Sequence, residues 1–411
     1  MLIDALSKTT CRKHASETRL ATSTHLPGLI RIDAHGETPL SRSRATRHQE
    51  KRIKIHPLFR YAGSKAEMLD RYYPFFEGLH PQYCIDYFGG SGTMSLFFHA
   101  MYPTARLLLN DQDPYLVYIF TAIQQHYDQF VVLMEHLDEM SQCLPTIADK
   151  NEWYRFWQTV YNARPELMNT IAWSAFYTLL RTYSFNGYNI RRHGKYMTGA
   201  GVRGKASPAF KRRAVEAFHT MLQPTTLCSM DYKLLAECIP VWEQIPCVLH
   251  YFDPPYINTS KDIFPDLFSW EQTETLCRLA CALAQHNSVF LSNIWDERLM
   301  EMLPGFTVQQ FPGVSGDYHK HNAKRIEALY YSRHPTMLTH DTAPHDGLPI
   351  KCSPPSTDRR RNTISLSVSR GGSYEHRNPT RSYVPIFSAA ESPRTRSTQR
   401  RYQATRNSGT H

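Results

Sequence analysis

Short apolar runs in this chain end at turn residues and alternate with longer segments of helical periodicity. Five of these runs have the length and composition of buried strands: residues 83–88 (YCIDYF), 105–110 (ARLLLN), 248–252 (VLHYF), 288–293 (SVFLSN) and 325–332 (RIEALYYS). Such alternation is typical of a parallel sheet whose strands are joined by crossover helices. It predicts an α/β fold with a Rossmann-like sheet, in which ligands bind at the carboxyl ends of the strands.

Charge is distributed unevenly along the chain, whose net charge is +10. Residues 1–57 carry 11 Lys/Arg against 5 Asp/Glu, and residues 335–411 carry 12 against 5, so residues 58–334 are slightly acidic at 24 against 27. Both ends are rich in Ser, Thr and Arg and have no hydrophobic period. We therefore predict a basic disordered extension at 1–57 and a basic disordered tail at 335–411.

The nine cysteines are scattered and include no Cys-x-x-Cys pair, which predicts a reducing compartment and no structural zinc. His319 and His321 have no third candidate ligand beside them, so we expect no bound metal. No apolar run reaches the roughly 18 to 20 residues that span a bilayer, and the first residues do not resemble a secretory signal. We expect a cytoplasmic protein without membrane contact, associated with the nucleoid of a bacterium or phage host.

Asp253-Pro254-Pro255-Tyr256 directly follows the run at 248–252. The amino nitrogen of a DNA base is a poor nucleophile, because its lone pair is delocalised into the ring. A fixed carboxylate on Asp253 and the carbonyl of Pro254 can both accept from that NH2 group and draw the lone pair out of the ring. The prolines fix the backbone, and Tyr256 offers a flat face to a base extruded from the duplex. These four residues are the predicted catalytic set; the alternative is a rigid turn without chemistry.

A glycine-rich turn, Asp86 to Gly92, follows the run at 83–88. It is shorter than the dinucleotide pattern and no Walker lysine follows it, so a ligand without phosphates suits it better than NAD or ATP. Asp111, after the next run, is placed to accept from two ribose hydroxyls. Because S-adenosylmethionine has such a ribose and no phosphate, we expect it as the cofactor.

Residues 181–213 contain nine Lys/Arg and no acidic residue, interleaved with aromatic side chains. This local asymmetry predicts DNA contact, with lysines on phosphates and arginine or asparagine side chains at base edges. The alternative is a solvated basic loop. The residues expected to contact DNA are Arg181, Asn186, Asn189, Arg191, Arg192, Lys195, Lys205 and Lys211.

With these motifs in place, the chain resembles the Dam-type, alpha-group DNA adenine-N6 methyltransferases over about residues 58–334. The resemblance is carried by Phe59 to Lys65, Asp86 to Gly92, Leu109-Asn110-Asp111, Ser229-Met230-Asp231-Tyr232, Asp253 to Tyr256 and Ser292-Asn293. It implies that S-adenosylmethionine is held by Tyr61, Lys65, Asp86, Phe88, Gly89, Gly90, Gly92, Asp111, Asp231, Tyr232 and Asp253.

The resemblance also implies how the chain is divided. Residues 58–150 would form the cofactor-binding half of a Rossmann-like, S-adenosylmethionine-dependent methyltransferase sheet, and 226–334 its catalytic half. Residues 151–225 would form an inserted, mainly helical target-recognition domain. Ile294-Trp295 stand where the family commonly has His-Asp, and the spacing around Phe185-Asn186-Gly187 differs. The fold and the chemistry carry over from the family, whereas the target sequence does not.

We therefore expect a monomeric enzyme that methylates N6 of adenine in double-stranded DNA by base flipping and direct transfer. Such enzymes can accompany a cognate restriction endonuclease. The alternatives are methylation of cytosine N4, methylation of an amino group in RNA or protein, and a catalytically silent DNA-binding protein. Cys247 could suggest a cytosine C5 nucleophile, but it begins a buried strand and is expected in the core.

Overall fold

The computed structural model describes residues 55–164, 167, 170–201, 210–236, 242, 244–256, 268–312 and 326–338. Almost all of the predicted extension at 1–57 and of the predicted tail at 335–411 therefore lies outside the described residues. Pro335–Leu338 forms a short 3-10 helix in which Met337 is fully buried. This turn packs with the core, although we had predicted that the tail begins at residue 335.

A seven-stranded sheet forms the centre of the described chain. The strands are β1 (Tyr83–Asp86), β2 (Arg106–Asn110), β3 (Arg191–Arg192), β4 (Lys195–Tyr196), β5 (Thr226–Cys228), β6 (Val248–Phe252), β7 (Ser288–Ile294), β8 (Thr307–Phe311) and β9 (Glu327–Ser332). Their order in the sheet is β5-β2-β1-β6-β7-β9-β8, and β3 pairs with β4 in a separate hairpin. The first five strands of that order are parallel, while β9 runs antiparallel to β7 and β8. The predicted α/β fold with a mainly parallel sheet is confirmed.

The order of the parallel strands places a crevice between β1 and β6. The chain moves outward from β1 through β2 to β5, then returns to add β6 and β7 on the other side of β1, as in a Rossmann-like sheet. Ligands bind at such a reversal, outside the carboxyl ends of the two central strands. Because β1 ends at Asp86 and β6 at Phe252, the glycine turn and the Asp-Pro-Pro-Tyr turn lie at this point.

Helices cover both faces of the sheet. They are α1 (Leu69–Phe76), α2 (Thr93–Met101), α3 (Pro114–Gln125), α4 (Tyr127–Gln142), α5 (Ile147–Ala163), α6 (Ile171–Tyr183), α7 (Arg212–Leu222), α8 (Tyr232–Ala236), α9 (Trp270–Leu283) and α10 (Glu297–Met302). Local sequence explains several starts: Ser269 and Gln272 form a capping box at α9, and Asp113 caps α3 with proline in its first turn. The segment after Asp111 forms two helices, α3 and α4, which are separated at His126.

Alternate residues of the strands feed two hydrophobic clusters on opposite faces of the sheet, as the two-residue period requires. Cys84 on β1 belongs to the cluster that contains α1 to α7, and the next residue, Ile85, belongs to the cluster that contains α9 and α10. Trp157 of α5 stacks on Phe176 of α6 at 4.6 Å within the first cluster. The helices of residues 151–225 thus bury their apolar faces in the same core as α2 and α3, which follow β1 and β2.

Several elements differ from the sequence prediction. The short strand β5, the edge strand β8 and the β3–β4 hairpin were not predicted, because their sequences are short or polar. Cys247 is buried in the core as expected. Within the described part of the chain, no helix has the length and apolarity needed to cross a membrane.

Candidate active site

The glycine-rich turn after β1 packs directly against the end of β2. The amide of Gly89 donates to the carbonyl of Asn110 at 2.7 Å, and a Cβ on Gly89 would lie only 2.7 Å from the Leu109 side chain. Gly92 has φ +72° and is the N-cap of α2, a left-handed conformation that favours glycine. Gly90 lies under the ring of Tyr61, which a Cβ would approach to 3.0 Å.

Asn110 joins the ends of three strands. Its side-chain nitrogen donates to the carbonyls of Tyr87 and Met230 at 3.0 Å each, and its side-chain oxygen accepts from the amide of Met230 at 3.1 Å. Because Asn110 is fully buried, these bonds fix the ends of β1, β2 and β5 relative to one another. The arrangement explains why residues that are far apart in sequence line the same edge of the sheet.

Asp86, the last residue of β1, is a buried carboxyl with an incomplete set of partners. It is 2% exposed, and Ser95 Oγ donates to its Oδ2 at 2.7 Å. Its Oδ1 is buried and has no hydrogen-bond partner among the residues that the structure describes. Burial raises the pKa of Asp86 to about 7, against the opposing effect of the Ser95 hydroxyl. A buried acceptor without a partner is costly, so a ligand that donates to Oδ1 would be favoured.

Asp111 follows β2 and is held by two backbone amides. Gly90 donates to its Oδ2 and Asp113 to its Oδ1, both at 2.8 Å. Burial raises the pKa of Asp111 to about 7, and the neighbouring charge of Asp113 adds to the effect. Each oxygen can still accept a second hydrogen bond, so the carboxylate is oriented without being saturated.

An aromatic wall stands beside these carboxyls. The ring of Phe88 lies 5.3 Å from that of Tyr232 and 6.0 Å from that of Phe268, measured between centroids. The Tyr232 hydroxyl donates to the carbonyl of Gln272 at 3.1 Å, which fixes the ring. Asp231, at the start of α8, accepts from the amide of Lys233 at 3.0 Å. The structure thus brings the predicted Phe88, Asp231 and Tyr232 together. It adds Phe268, which no sequence motif pointed to.

Lys65 forms a buried ion pair with Asp253. Its ammonium donates to both carboxylate oxygens at 2.7 Å and to the carbonyl of Gly63 at 3.1 Å. Burial alone would lower the pKa of Lys65, but the carboxylates of Asp253 and Glu327 outweigh it, so the pKa is raised and the side chain stays charged. We had predicted Lys65 as part of the cofactor pocket, whereas the structure places its charge on the predicted catalytic carboxylate.

Three hydrogen bonds from described residues reach the Asp253 carboxylate. Ser292 Oγ donates to Oδ1 at 2.7 Å, in addition to the two bonds from Lys65. A carboxylate accepts about four hydrogen bonds, so Oδ2 has room for one more donor. The side chain is 16% exposed, so its position is reachable from solvent, while Pro254 beside it is buried.

Tyr256 is anchored at both its ring and its hydroxyl. The ammonium of Lys65 lies 4.9 Å from the ring centroid, and the hydroxyl lies 3.3 Å from Ser292 Oγ and donates to Glu327 Oε1. Glu327 also accepts from the Tyr72 hydroxyl at 3.1 Å. Burial raises the pKa of Glu327, against the opposing charge of Lys65. Glu327 was not predicted; its one signal was an acidic residue at the start of an otherwise apolar strand.

The prediction that Arg181 contacts DNA is corrected by its position. The side chain is 1% exposed and lies in α6, with its guanidinium 4.9 Å from the ring centroid of Tyr61 and 5.7 Å from that of Phe59. It cannot reach a phosphate from there. Its charge lowers the pKa of Asp111, which burial raises, so it acts electrostatically on the cofactor side of the site.

Arg191 and Asn189 also face inward, although both were predicted to contact base edges. The guanidinium of Arg191 lies 3.8 Å from the ring centroid of Tyr115 and donates to the Tyr161 hydroxyl at 3.2 Å. Asn189 donates to Asp113 Oδ2 and accepts from the Tyr177 hydroxyl, both at 3.1 Å. These side chains hold the segment around the β3–β4 hairpin against α3 and α6 and have little left to offer a base. Because this segment belongs to the predicted target-recognition domain, we call residues 184–201 the recognition region.

The remaining predicted DNA residues that are described lie at the surface. Arg192 and Lys195 flank the tight turn of the β3–β4 hairpin, where His193 and Gly194 both have positive φ, as two-residue hairpin loops require. Arg192, Lys195, Asn186 and Lys211 are exposed, and Lys205 lies outside the described residues. Asn186 precedes Gly187, where a Cβ would come within 2.7 Å of the Arg60 backbone. That close contact joins the recognition region to the segment leading to Lys65.

Substituting Asp86 should reveal its raised pKa. The unfolded chain releases this proton at about pH 4, whereas the folded protein holds it up to about pH 7. The ligand-free wild type should therefore lose folding free energy as the pH rises through this window. Asp86→Asn removes the titration and should melt several degrees above wild type at pH 8, with the difference disappearing near pH 4. Thermal melts across this range measure it, and a pH-independent difference would contradict the assignment.

No group of three or more His, Cys, Asp or Glu side chains is arranged to hold a metal ion within the part of the chain that the structure covers. His319 and His321 fall outside that part.

Comparisons with known proteins bear on this site. A model of the family D12 class N6 adenine-specific DNA methyltransferase matches residues 61–293, more than half of the 411 residues. No curated protein matches the chain. Among solved structures 30 chains match; one is a precorrin-6y C5,15-methyltransferase from Geobacter metallireducens GS-15, at 9% identity and a TM-score of 0.29 over 67% of this chain and 93% of that one. That likeness is too low to support an argument.

The family match begins at Tyr61 and ends at Asn293. It therefore includes the glycine turn, Asp111, the hairpin region and the Asp-Pro-Pro-Tyr turn. It confirms the predicted Dam-type resemblance and favours adenine N6 over cytosine N4 and over RNA or protein amino groups. The chain belongs to the D12 class N6 adenine-specific DNA methyltransferases.

Proposed function

We propose that this chain binds S-adenosylmethionine and transfers its methyl group to N6 of an adenine flipped out of double-stranded DNA. The observation that carries the proposal is the Lys65–Asp253 pair, in which Lys65 Nζ bonds both carboxylate oxygens at 2.7 Å. It connects the segment before the cofactor turn with the base-binding turn after β6. Both turns lie at the reversal of strand order, where a shared pocket is expected.

The residues present fit this cofactor. The unpartnered Asp86 Oδ1 can accept from the amino group of the methionine part, and Asp111 can accept from the ribose hydroxyls. Phe88 and Tyr232 form a flat wall suited to the adenine ring. When bound, S-adenosylmethionine supplies an electrophilic methyl group, and the electron pair of the broken carbon–sulfur bond stays on sulfur.

The chain's own residues then orient the target base. The open position on Asp253 Oδ2 and the carbonyl of Pro254 accept from the two N6 hydrogens, which localises the nitrogen lone pair and directs it away from the ring. Lys65 holds the Asp253 carboxylate in place through two charged hydrogen bonds. Tyr256 supplies a flat face on which the flipped adenine stacks.

The duplex is held by the exposed basic residues. Arg192 and Lys195 at the hairpin, with Lys211 at the start of α7, are available to phosphates or base edges. Asn186 lies exposed beside the Gly187 contact and can reach the same surface. Arg181, Arg191 and Asn189 position this surface from within. We propose that the chain acts as a monomer, with any cognate restriction endonuclease being a separate protein.

The proposed function is tested by expressing the chain in a host whose DNA is unmethylated and mapping modified bases in its genome. We expect N6-methyladenine in one short sequence context. A genome without modified adenine, obtained from cells that contain folded protein, would overturn the proposal, and N4-methylcytosine would move the activity to the other amino base.

A further inference from the structure

Glu327 is a second carboxylate close to the predicted catalytic one. It starts β9, and its Oε1 accepts from the hydroxyls of Tyr256 and Tyr72. The same oxygen lies 3.9 Å from the ammonium of Lys65, and the side chain is only 12% exposed. No step of the proposed methyl transfer uses it. Burying a charged carboxylate costs folding free energy unless the group is fully paired.

Polar atoms connect Asp253 to Glu327 without interruption. Asp253 Oδ1 lies 2.7 Å from Ser292 Oγ, Ser292 Oγ lies 3.3 Å from the Tyr256 hydroxyl oxygen, and that hydroxyl donates to Glu327 Oε1. These four side chains come from the turn after β6, from β7 and from β9. Protons can move along such a chain by short hops between neighbouring oxygens.

The hydrogens along this row of four side chains can all point in one direction when a proton reaches Asp253. With both carboxylates ionised, Ser292 donates to Asp253 and Tyr256 donates to Glu327, so no hydrogen lies between the two hydroxyls. This agrees with their longer separation of 3.3 Å. Once Oδ2 of Asp253 is protonated, a half-turn of the carboxyl group brings that oxygen to Ser292. Ser292 then accepts the proton and turns its own hydrogen toward Tyr256.

We propose that Glu327 receives the proton that leaves the adenine amino group, through Asp253, Ser292 and Tyr256. This inference rests on the proposed function. As the lone pair of the nitrogen forms the bond to carbon, the nitrogen becomes positively charged and releases one proton to Asp253. Each hydroxyl accepts a proton on one side and passes its own to the other, so Asp253 is ionised again and Glu327 is neutral.

The surrounding charges favour the proton on Glu327. Lys65 bonds both oxygens of Asp253 at 2.7 Å but lies 3.9 Å from Glu327, so its positive charge attracts a negative charge on Asp253 more strongly than one on Glu327. Burial raises the pKa of Glu327. Besides Lys65 and Asp253, the titratable groups facing Glu327 are Tyr72, Tyr251 and Tyr256, and burial raises the pKa of all three well above its usual value. All three therefore stay neutral, and Tyr256 can pass a proton on without keeping it.

Single-turnover methyl transfer to duplex DNA, followed with labelled cofactor, tests the route. Glu327→Gln cannot accept a proton and should slow transfer by about tenfold or more. Tyr256→Phe keeps the ring but removes the hydroxyl from the proton route, and it should show a similar loss of transfer rate. The double variant should be no slower than the slower single variant, because both changes act on one route. Tyr72→Phe removes a hydroxyl from Glu327 outside the route and should stay within about threefold of wild type.

The pH dependence of the wild-type rate gives a second readout. Glu327 must be ionised to accept a proton, so the rate should fall as the pH drops through its raised pKa. Glu327→Gln should lose this limb. Cofactor affinity should be unchanged in the variant. Its melting temperature should not fall below that of wild type, because a neutral amide replaces a buried carboxyl of raised pKa. A loss of rate without a loss of stability separates a proton route from a packing role.

Infrared difference spectra supply a readout that does not depend on activity. On acidification of cofactor-free protein, wild type should gain the carbonyl band of a buried, protonated glutamate, assigned by isotope-labelled glutamate and absent from Glu327→Gln. During a wild-type turnover the same band should appear at the rate of methyl transfer. Its absence, or equal transfer rates in wild type and Glu327→Gln, would overturn the proton route alone. A wild type that transfers no methyl group would overturn the proposed function as well.

Discussion

Asp253→Asn should lower methyl transfer by about a thousandfold while leaving cofactor affinity within about threefold of wild type. The amide keeps the size of the side chain and one accepting oxygen, but it replaces the other with an NH2 group. That group would face the adenine amino group and the Lys65 ammonium, which are both donors. The base would then lose the acceptor that localises its lone pair. Transfer of labelled methyl groups to DNA and cofactor titration measure the two effects.

Asparagine is a sharper test than alanine because of Lys65. Its side chain is 6% exposed, and removing the closer of its two described carboxylate contacts leaves a buried cation poorly paired, which costs about 3–5 kcal/mol. An alanine variant could therefore lose activity by unfolding. Asp128→Asn, an exposed change in the first turn of α4, is the matched control and should keep full activity. Normal transfer by folded Asp253→Asn protein would contradict the catalytic role.

The double variant Lys65→Met/Asp253→Asn separates activity from stability further. An apolar side chain of similar length beside a neutral amide removes both charges of the Lys65–Asp253 pair, so unfolding free energy should return toward that of wild type. Methyl transfer should stay as low as in the single Asp253→Asn variant. Recovery of transfer in the double variant would show that the loss came from the unpaired lysine.

The positions of the glycine turn and the Asp-Pro-Pro-Tyr turn were predictable because each follows a short, mostly apolar strand. Parallel strands end at a common edge, so Asp86, Asp111 and Asp253 had to lie near one another once the strands were recognised. The partners of these groups were not predictable in the same way. Lys65 reaches Asp253 across 188 positions of sequence, and nothing local to either residue distinguishes that contact from a place in the cofactor pocket.

Glu327 and Ser292 illustrate a second limit. They meet Tyr256 because β9 inserts antiparallel beside β7, with Glu327 opposite Ile294. Antiparallel insertion changes which face and which end of a strand approaches the site. A sequence pattern gives the strand but neither its direction nor its neighbour, so the second carboxylate of the site could be found only from the fold.

The basic recognition region shows a third limit, which concerns the direction of side chains. Its positive charges were taken together as a DNA-binding surface, yet Arg191 faces the core and Arg192 faces solvent. Successive residues of a strand point to opposite faces, so the side chains of the two arginines must point in opposite directions once they are assigned to β3. The strand is two residues long and has no apolar alternation that would have revealed it.

Arg191 is surrounded by four tyrosine rings, so its removal should destabilise the fold strongly. Besides Tyr115, the ring centroids of Tyr177, Tyr196 and Tyr161 lie 5.1, 5.7 and 5.9 Å from its guanidinium carbon. Arg191→Ala removes these contacts and leaves a cavity between the hairpin, α3, α5 and α6. The unfolding free energy should fall by about 3 kcal/mol. Denaturant unfolding of the two proteins side by side measures the loss.

Arg192→Ala is the matched control, one residue away and on the opposite face. The substitution should change unfolding free energy by less than about 0.5 kcal/mol. It should weaken duplex binding. If Arg192 contacts a phosphate, the slope of log affinity against log salt concentration should also fall by about one. Arg191→Ala should retain that slope wherever the protein remains folded, because its guanidinium never reaches the DNA. Equal stability losses in the two variants would contradict the stabilising role of the tyrosine rings around Arg191, and an unchanged affinity in Arg192→Ala would remove the hairpin from the DNA surface. The two variants thus distinguish Arg191, which stabilises the recognition region, from Arg192, which is expected to contact DNA.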